Sequence, residues 1–323
     1  MEEEDSSSKL LSFSTPLYRL VSLGKLLKLN GYPIFVKWEG ANPTGTHKDR
    51  AALSHVISAK KNDASIVTVG TCGNYGAALA YYAKLYGVKA VIYVPRFYED
   101  SRITEMRKYG AIVIPVDGKY EDAVELSMKS ARENYWYDAN PGGPNDQTSL
   151  ASYSRIAHEI AVELGDAPYA ISIPVGNGTT LVGVYTGFLQ LYKEGYTTRM
   201  PRIVAATTAR ANQLAVSWAK GSLEPVGLLE SEVRETWINE PLAAIKSLNA
   251  REALKALHYS KGEVYTFEDE ELLEAALALK AVEGIDALPA SAASILALRL
   301  FASLNSVEGP LVALVTGRWR GKR

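Results

Sequence analysis

Short strand-like runs alternate with helical stretches along nearly the whole chain, and nothing else in the sequence constrains the fold as much. Residues 34–38, 65–70, 90–94, 111–116, 169–175, 202–206, 263–267 and 311–316 are rich in β-branched and apolar side chains, and each is predicted to be a strand. The apolar spacing between them predicts helices at 49–60, 77–86, 102–109, 121–134, 149–164, 179–191, 212–219, 241–257, 268–283 and 290–304. Strands joined through helices of that length need right-handed crossovers and form parallel sheets with helices on both faces. The runs are nearly all apolar rather than alternating, which suits strands covered on both sides. The fold class is therefore α/β.

Composition narrows the function. The chain has 323 residues, room for two lobes or one large domain. Its formal net charge is -1, so there is no bulk basic surface for nucleic acid. No apolar run approaches the roughly 20 residues that cross a membrane. The acidic, serine-rich start, Met1 to Ser8, lacks the features of a secretory signal, and the single cysteine, Cys72, has no internal disulfide partner. The expectation is a soluble cytoplasmic protein. Asp138 to Asp146 is the strongest loop and reads as a crossing between lobes.

Four segments can carry chemistry. Asn42 to Arg50 makes a tight turn that opens a helix, which places Lys48 at the helix N-terminus. A cation there opposes the helix dipole by up to about 1 kcal/mol, and a partly neutral amine is what Schiff-base chemistry needs. Gly70 to Gly76 and Pro174 to Thr180 are glycine turns between a strand and a helix, where backbone N–H groups suit an anion. The second of these lacks the lysine of a P-loop and the spacing of a dinucleotide fingerprint. Thr316 ends the last strand, where ligands of open α/β sheets sit. Each segment alone also reads as an ordinary turn: an exposed lysine, two glycine turns, a strand-ending threonine. Cys72 would have a lowered thiol pKa in such a turn, but no cysteine-hydrolase motif surrounds it. Asp49 and Asp100 read as caps. His47, His55, His158 and His258 show no metal-ligand spacing, and no Ser-His-Asp arrangement can be argued.

Together and in this order, the four segments resemble the fold-type II pyridoxal phosphate enzymes, the group of tryptophan synthase β, cysteine synthase, threonine dehydratase and threonine synthase. The resemblance runs from about Phe13 to Gly317 and opens with Ser14-Thr15-Pro16-Leu17-Tyr18. Within the group, Asn42-Pro43-Thr44-Gly45 with Lys48-Asp49-Arg50 is most similar to threonine synthase. So are Pro174 to Gly178 followed by Gly187-Phe188, and Pro289 to Ser294.

The resemblance implies pyridoxal 5'-phosphate as cofactor and a tryptophan synthase β-like fold of two lobes, each with a mostly parallel sheet flanked by helices. The polar start reads as a mobile tail at 1–9, and the resemblance implies a large cofactor-binding domain from 10–48 and 148–323 and a small mobile domain at 49–147. In it, Lys48 condenses with the cofactor's aldehyde and later moves protons, and Asn74 hydrogen-bonds the 3-oxygen. Gly176, Asn177, Gly178, Thr179 and Thr180 hold the phosphate, and Thr316 meets the pyridine nitrogen. Thr71, Cys72 and Gly73 lie where the substrate carboxylate binds. A neutral hydroxyl at the pyridine nitrogen moderates the electron sink, which favours elimination and replacement over transamination. The implied reaction is that of threonine synthase, O-phospho-L-homoserine plus water to L-threonine plus phosphate, with a homodimer expected by analogy. The rivals are a serine/threonine dehydratase-type lyase, a cysteine- or cysteate-synthase-type replacement enzyme, and a non-catalytic relative, which the presence of Lys48 disfavours.

The sequence also departs from the threonine synthase pattern. His47 stands where those enzymes have Phe or Tyr and is more like tryptophan synthase β. After Thr316-Gly317 the chain continues Arg318-Trp319-Arg320-Gly321, which is not the family run. Ala151 to Ser154 and Leu288 differ as well. All of these lie in regions that shape a substrate pocket, and they leave the cofactor assignment intact.

Overall fold

The computed structural model describes residues 14–26, 31–71, 73–96, 101–209 and 212–319; the tail at 1–9, Asp100 and the predicted site residue Cys72 lie outside them. The described strands are β1 (Leu17–Arg19), β2 (Ile34–Trp38), β3 (Ile66–Gly70), β4 (Lys89–Pro95), β5 (Ile112–Val116), β6 (Tyr137–Asp138), β7 (Ala170–Pro174), β8 (Arg202–Thr208), β9 (Glu263–Phe267) and β10 (Leu311–Val315). They form two sheets, in the orders β1-β2-β10-β7-β8-β9 and β5-β4-β3-β6. Every pairing is parallel except that of β1 with β2.

The all-apolar strands behave as a parallel sheet requires. β10 is central in the larger sheet and buried along its whole length. Leu311, Ala313 and Val315 face one core, with Val36, Val204, Leu298 and Phe301. Val312 and Leu314 face the other, with Ile156, Ile171, Leu181 and Phe188. Each fully buried side chain of this size stabilises by about 1.5–3 kcal/mol relative to exposure. Among the described residues no helix is long and apolar enough to cross a membrane.

All eight predicted strands are present. β1, β6 and the short helix Ser22–Leu26 are additions that the sequence did not announce. The helix predicted at 241–257 is wrong in its first half: the helix is Ala250–Tyr259. Residues 241–249 stay irregular because other parts of the chain take their polar groups. Asn212 Nδ2 donates to the Leu242 carbonyl at 2.8 Å, Gln213 N to the Ala244 carbonyl, and Ser247 N to Gln213 Oε1. Tertiary contacts override the helical spacing here.

Helix Lys48–Lys61 is anchored by a buried ionic network. Arg50 meets Glu39, fully buried, through Nε at 2.7 Å and Nη2 at 2.8 Å. It meets Glu159 through Nη1 at 2.6 Å and Nη2 at 2.7 Å. Lys37, a fully buried lysine in β2, lies 3.0 Å from Glu159 and 2.8 Å from Glu163. Arg50 sits two residues beyond Lys48, so this network holds the helix start against β2 and helix Asp146–Leu164.

Candidate active site

The glycine turns open on one cleft of ≈ 610 Å³ at the carboxyl ends of β3, β4, β7 and β10. This is where α/β sheets place ligands, and it is bordered by strands of both sheets. Lys48, Thr71, Gly73, Asn74, the turn 176–180 and Thr316 all line it, so the predicted site residues that are described come together.

The turn before Lys48 is fastened by Asp49, whose carboxylate accepts hydrogen bonds from Thr44 N at 3.0 Å, Thr44 Oγ1 at 2.5 Å and Tyr82 OH at 3.1 Å. Lys48 is then the first helical residue, with no side-chain cap before it. Its Nζ lies 5.6 Å from the centre of the Tyr153 ring. Burial pulls the Lys48 amine down to about 8, against the opposing influence of Glu240. A neutral amine is therefore accessible near physiological pH, which a nucleophilic lysine needs.

Two helices start at the cleft behind glycines. Gly178 caps helix Thr179–Lys193 with φ +86°, a left-handed conformation that favours glycine. A Cβ on Gly176 would stand 2.6 Å from the Pro241 carbonyl oxygen, so only glycine lets this turn meet the 241 segment. Neither this helix nor helix Asn74–Tyr86, which starts after Gly73, has a side-chain cap on its first N–H groups. Both ends suit an anion.

The predicted hydroxyls are not equivalent. Thr179 Oγ1 donates to Asn249 Oδ1 at 2.6 Å, and Asn249 in turn donates to Asp146. Thr179 thus keeps its backbone N–H for a ligand but not its hydroxyl proton. Thr180 Oγ1 is 3.1 Å from His47 Nε2. Thr316 Oγ1 is 2.8 Å from Ser291 Oγ. Asn74 Oδ1 is shut off from water without a partner, a cost that a bound polar group would relieve. Tyr153, Ser291, Asn249 and Asp146 were not picked out from the sequence as site residues. Asp146 and Tyr153 come from helix Asp146–Leu164, Ser291 from helix Pro289–Leu304 and Asn249 from the loop before helix Ala250–Tyr259. Ser291 lies in a run singled out in the sequence, but without a role there.

The remaining wall is acidic. Glu121, Glu230, Glu235 and Glu240 line the cleft, and Lys119 pairs with Glu230 at 2.5 Å. Burial, reinforced by Glu240 and Glu121, pushes the Glu235 carboxyl up to about 7. This wall also escaped the sequence reading.

The residues fit pyridoxal 5'-phosphate: a lysine of lowered pKa, an uncapped glycine turn that suits an anion, a buried amide with an unpartnered oxygen, and a neutral hydroxyl pair at the strand end. The comparisons agree. Residues 9–317 match the family model described as pyridoxal-phosphate dependent enzyme. The threonine synthase of Methanocaldococcus jannaschii is 30% identical over 321 residues, which cover 98% of this chain and 77% of that protein. Two solved structures share the fold at low identity. Serine racemase from Dictyostelium discoideum has a TM-score of 0.79 at 20% identity, covering 99% of this chain and 98% of its own. A threonine deaminase from T.th. has a TM-score of 0.77 at 21% identity, covering 100% of this chain and 99% of its own. With a family match over nearly its whole length and a site that suits the cofactor, the chain belongs to the fold-type II pyridoxal-phosphate-dependent enzymes.

Proposed function

We propose that the chain catalyses elimination and replacement on an amino acid in the manner of threonine synthase, converting O-phospho-L-homoserine and water to L-threonine and phosphate. The observation that carries the reading is Lys48, which lines one cleft with Asn74 and the 176–180 turn and whose amine burial pulls down to about 8. The likeness to a protein called threonine synthase supports the replacement by water. A homodimer in the cytoplasm, and a smaller lobe at 49–147 that moves against the larger one, belong to the same proposal.

Bound pyridoxal phosphate supplies an electron sink for charge that develops at the substrate's α carbon. The chain's own residues do the rest. Lys48 holds the cofactor and moves protons at Cα and Cβ. The N–H groups of the turn 176–180 receive the phosphate. Thr71 and Gly73, at the start of helix Asn74–Tyr86, receive the substrate carboxylate. The amide of Asn74 meets the 3-oxygen. Thr316, paired with Ser291, offers the ring nitrogen a hydroxyl and no charge, which restrains transamination.

The acidic wall favours a second reading, elimination from serine or threonine. A phosphorylated substrate would meet Glu121, Glu235 and Glu240 there, and Lys119 is already paired with Glu230. The test is a substrate panel on cofactor-loaded enzyme, scored for phosphate, threonine, ammonia and oxo acid. Threonine plus phosphate from O-phospho-L-homoserine supports the first reading. Oxo acid and ammonia from serine or threonine, with the phosphorylated substrate inert, selects the second. Loaded enzyme that turns over none of these refutes both.

A further inference from the structure

His47 joins the two ends of the cofactor site. Its Nδ1 is 3.2 Å from the Thr316 carbonyl oxygen and its Nε2 is 3.1 Å from Thr180 Oγ1. Its ring packs on Tyr153 at 5.3 Å between centroids. A carbonyl can only accept, so Nδ1 carries a proton. Burial, then the charge of Lys48, holds the imidazole well below its usual 6.5, despite the bond to Thr316. The ring is therefore neutral near pH 7 and Nε2 is an acceptor, so the Thr180 hydroxyl must donate to it. The Thr180 hydroxyl then turns only lone pairs toward the turn at 176–180, where a phosphate oxygen would be repelled by them, although the Thr180 backbone N–H stays open.

We propose that His47 is a positioning residue that takes up a proton when the cofactor's phosphate settles at the 176–180 turn, which frees the Thr180 hydroxyl to donate to the phosphate. This rests on the placement of the phosphate given above. The proton comes from solvent, one per site, and lands on Nε2. Nε2–H then donates to Thr180 Oγ1, while Nδ1–H keeps its bond to Thr316. The phosphate dianion favours the added positive charge. The other groups facing the ring are Arg50 from its own helix, which also opposes protonation, and Tyr153 from helix Asp146–Leu164, which stays neutral. Helix Thr179–Lys193 presents the Thr180 hydroxyl and the end of β10 the Thr316 carbonyl. The relay thus ties phosphate binding to the strand end that carries Thr316.

The experiment reconstitutes cofactor-free protein in dilute buffer between about pH 5.5 and 8, the range in which imidazoles titrate. It counts protons taken up with pyridoxal 5'-phosphate and with pyridoxal, which lacks the phosphate. His47→Gln keeps a donor and an acceptor but cannot titrate; His47→Phe is the second variant should the first not fold. The wild type is expected to take up as much as one proton per site more than the variant with pyridoxal 5'-phosphate, and no excess with pyridoxal. Its affinity should rise relative to the variant as pH falls, by up to about tenfold per pH unit. Equal proton counts and parallel affinity profiles, with the visible band of bound cofactor present in both proteins, refute the role of His47 alone. If the wild type acquires no visible band, the cofactor placement fails and the role of His47 with it.

Discussion

Replacing Arg50 with methionine removes the cation shared by Glu39 and Glu159 while keeping most of the side-chain volume. Glu39 is fully buried and gives both carboxylate oxygens to Arg50. Taking one partner from a buried ion pair costs about 3–5 kcal/mol. Thr15 Oγ1 and Asn42 Nδ2 still donate to Glu39, which places the loss near the lower end. Glu159 gives an independent figure. Burial alone would raise its carboxyl, yet hydrogen bonds and charge from Arg50, then Lys37, hold it at about 2 instead of 4.5. At about 1.4 kcal/mol per pH unit, that shift amounts to about 3 kcal/mol, part of which is Arg50's. A carboxylate whose pKa is depressed in the folded state stabilises above the unfolded value and loses that stability as pH falls through the folded one. The wild type should therefore lose stability between pH 4.5 and about 2 more steeply than Arg50→Met. Urea unfolding of cofactor-saturated protein, followed by tryptophan fluorescence at neutral and acid pH, measures both effects. A loss under about 1 kcal/mol at pH 7, or an unchanged acid limb, would refute the network as the anchor of the Lys48 helix.

Gly176→Ala puts a Cβ 2.6 Å from the Pro241 carbonyl. Over-packing of this kind costs about 1–3 kcal/mol, so cofactor affinity should fall roughly 5- to 150-fold with the circular dichroism unchanged; equal affinity would contradict the tight turn. Only a neutral amine condenses with an aldehyde, and burial of Lys48 places its titration near 8. The stopped-flow rate of cofactor capture should thus rise with pH and level off above about 8, and a rise continuing past about 10 would show an unperturbed lysine. Glu235 ionises as pH rises through about 7, so KM for a phosphorylated substrate should worsen over that range in the wild type and not in Glu235→Gln. Identical profiles would remove Glu235 from the substrate's path.

The sheet was legible because its strands are buried on both faces and must be apolar throughout, as β10 is. β1 and β6, three and two residues long, carry too little pattern to be seen. Residues 241–249 misled for the opposite reason: their apolar spacing is helical, but their carbonyls are claimed by Asn212 and Gln213 from elsewhere in the chain. Each turn alone is ambiguous; the four segments in order, and the resemblance they carry, point to Lys48, Asn74 and Gly176 to Gly178, which line one cleft. Tyr153 and Asn249 act across the fold and no local signal points to them, while Ser291 lies in the Pro289–Ser294 run but its pairing with Thr316 does not show there. Lys37 is a charge inside an otherwise apolar strand, and its partners Glu159 and Glu163 lie over a hundred residues away, out of reach of any local pattern.

In the proposed site the Lys48 amine carries the cofactor. Reducing the loaded enzyme with borohydride fixes the cofactor to whichever lysine holds it, and mass spectrometry of the digest identifies that residue. The added pyridoxyl group should appear on Lys48 and be absent in Lys48→Ala. A pyridoxyl group on any other lysine, or none at all in protein that shows the visible band, would contradict it.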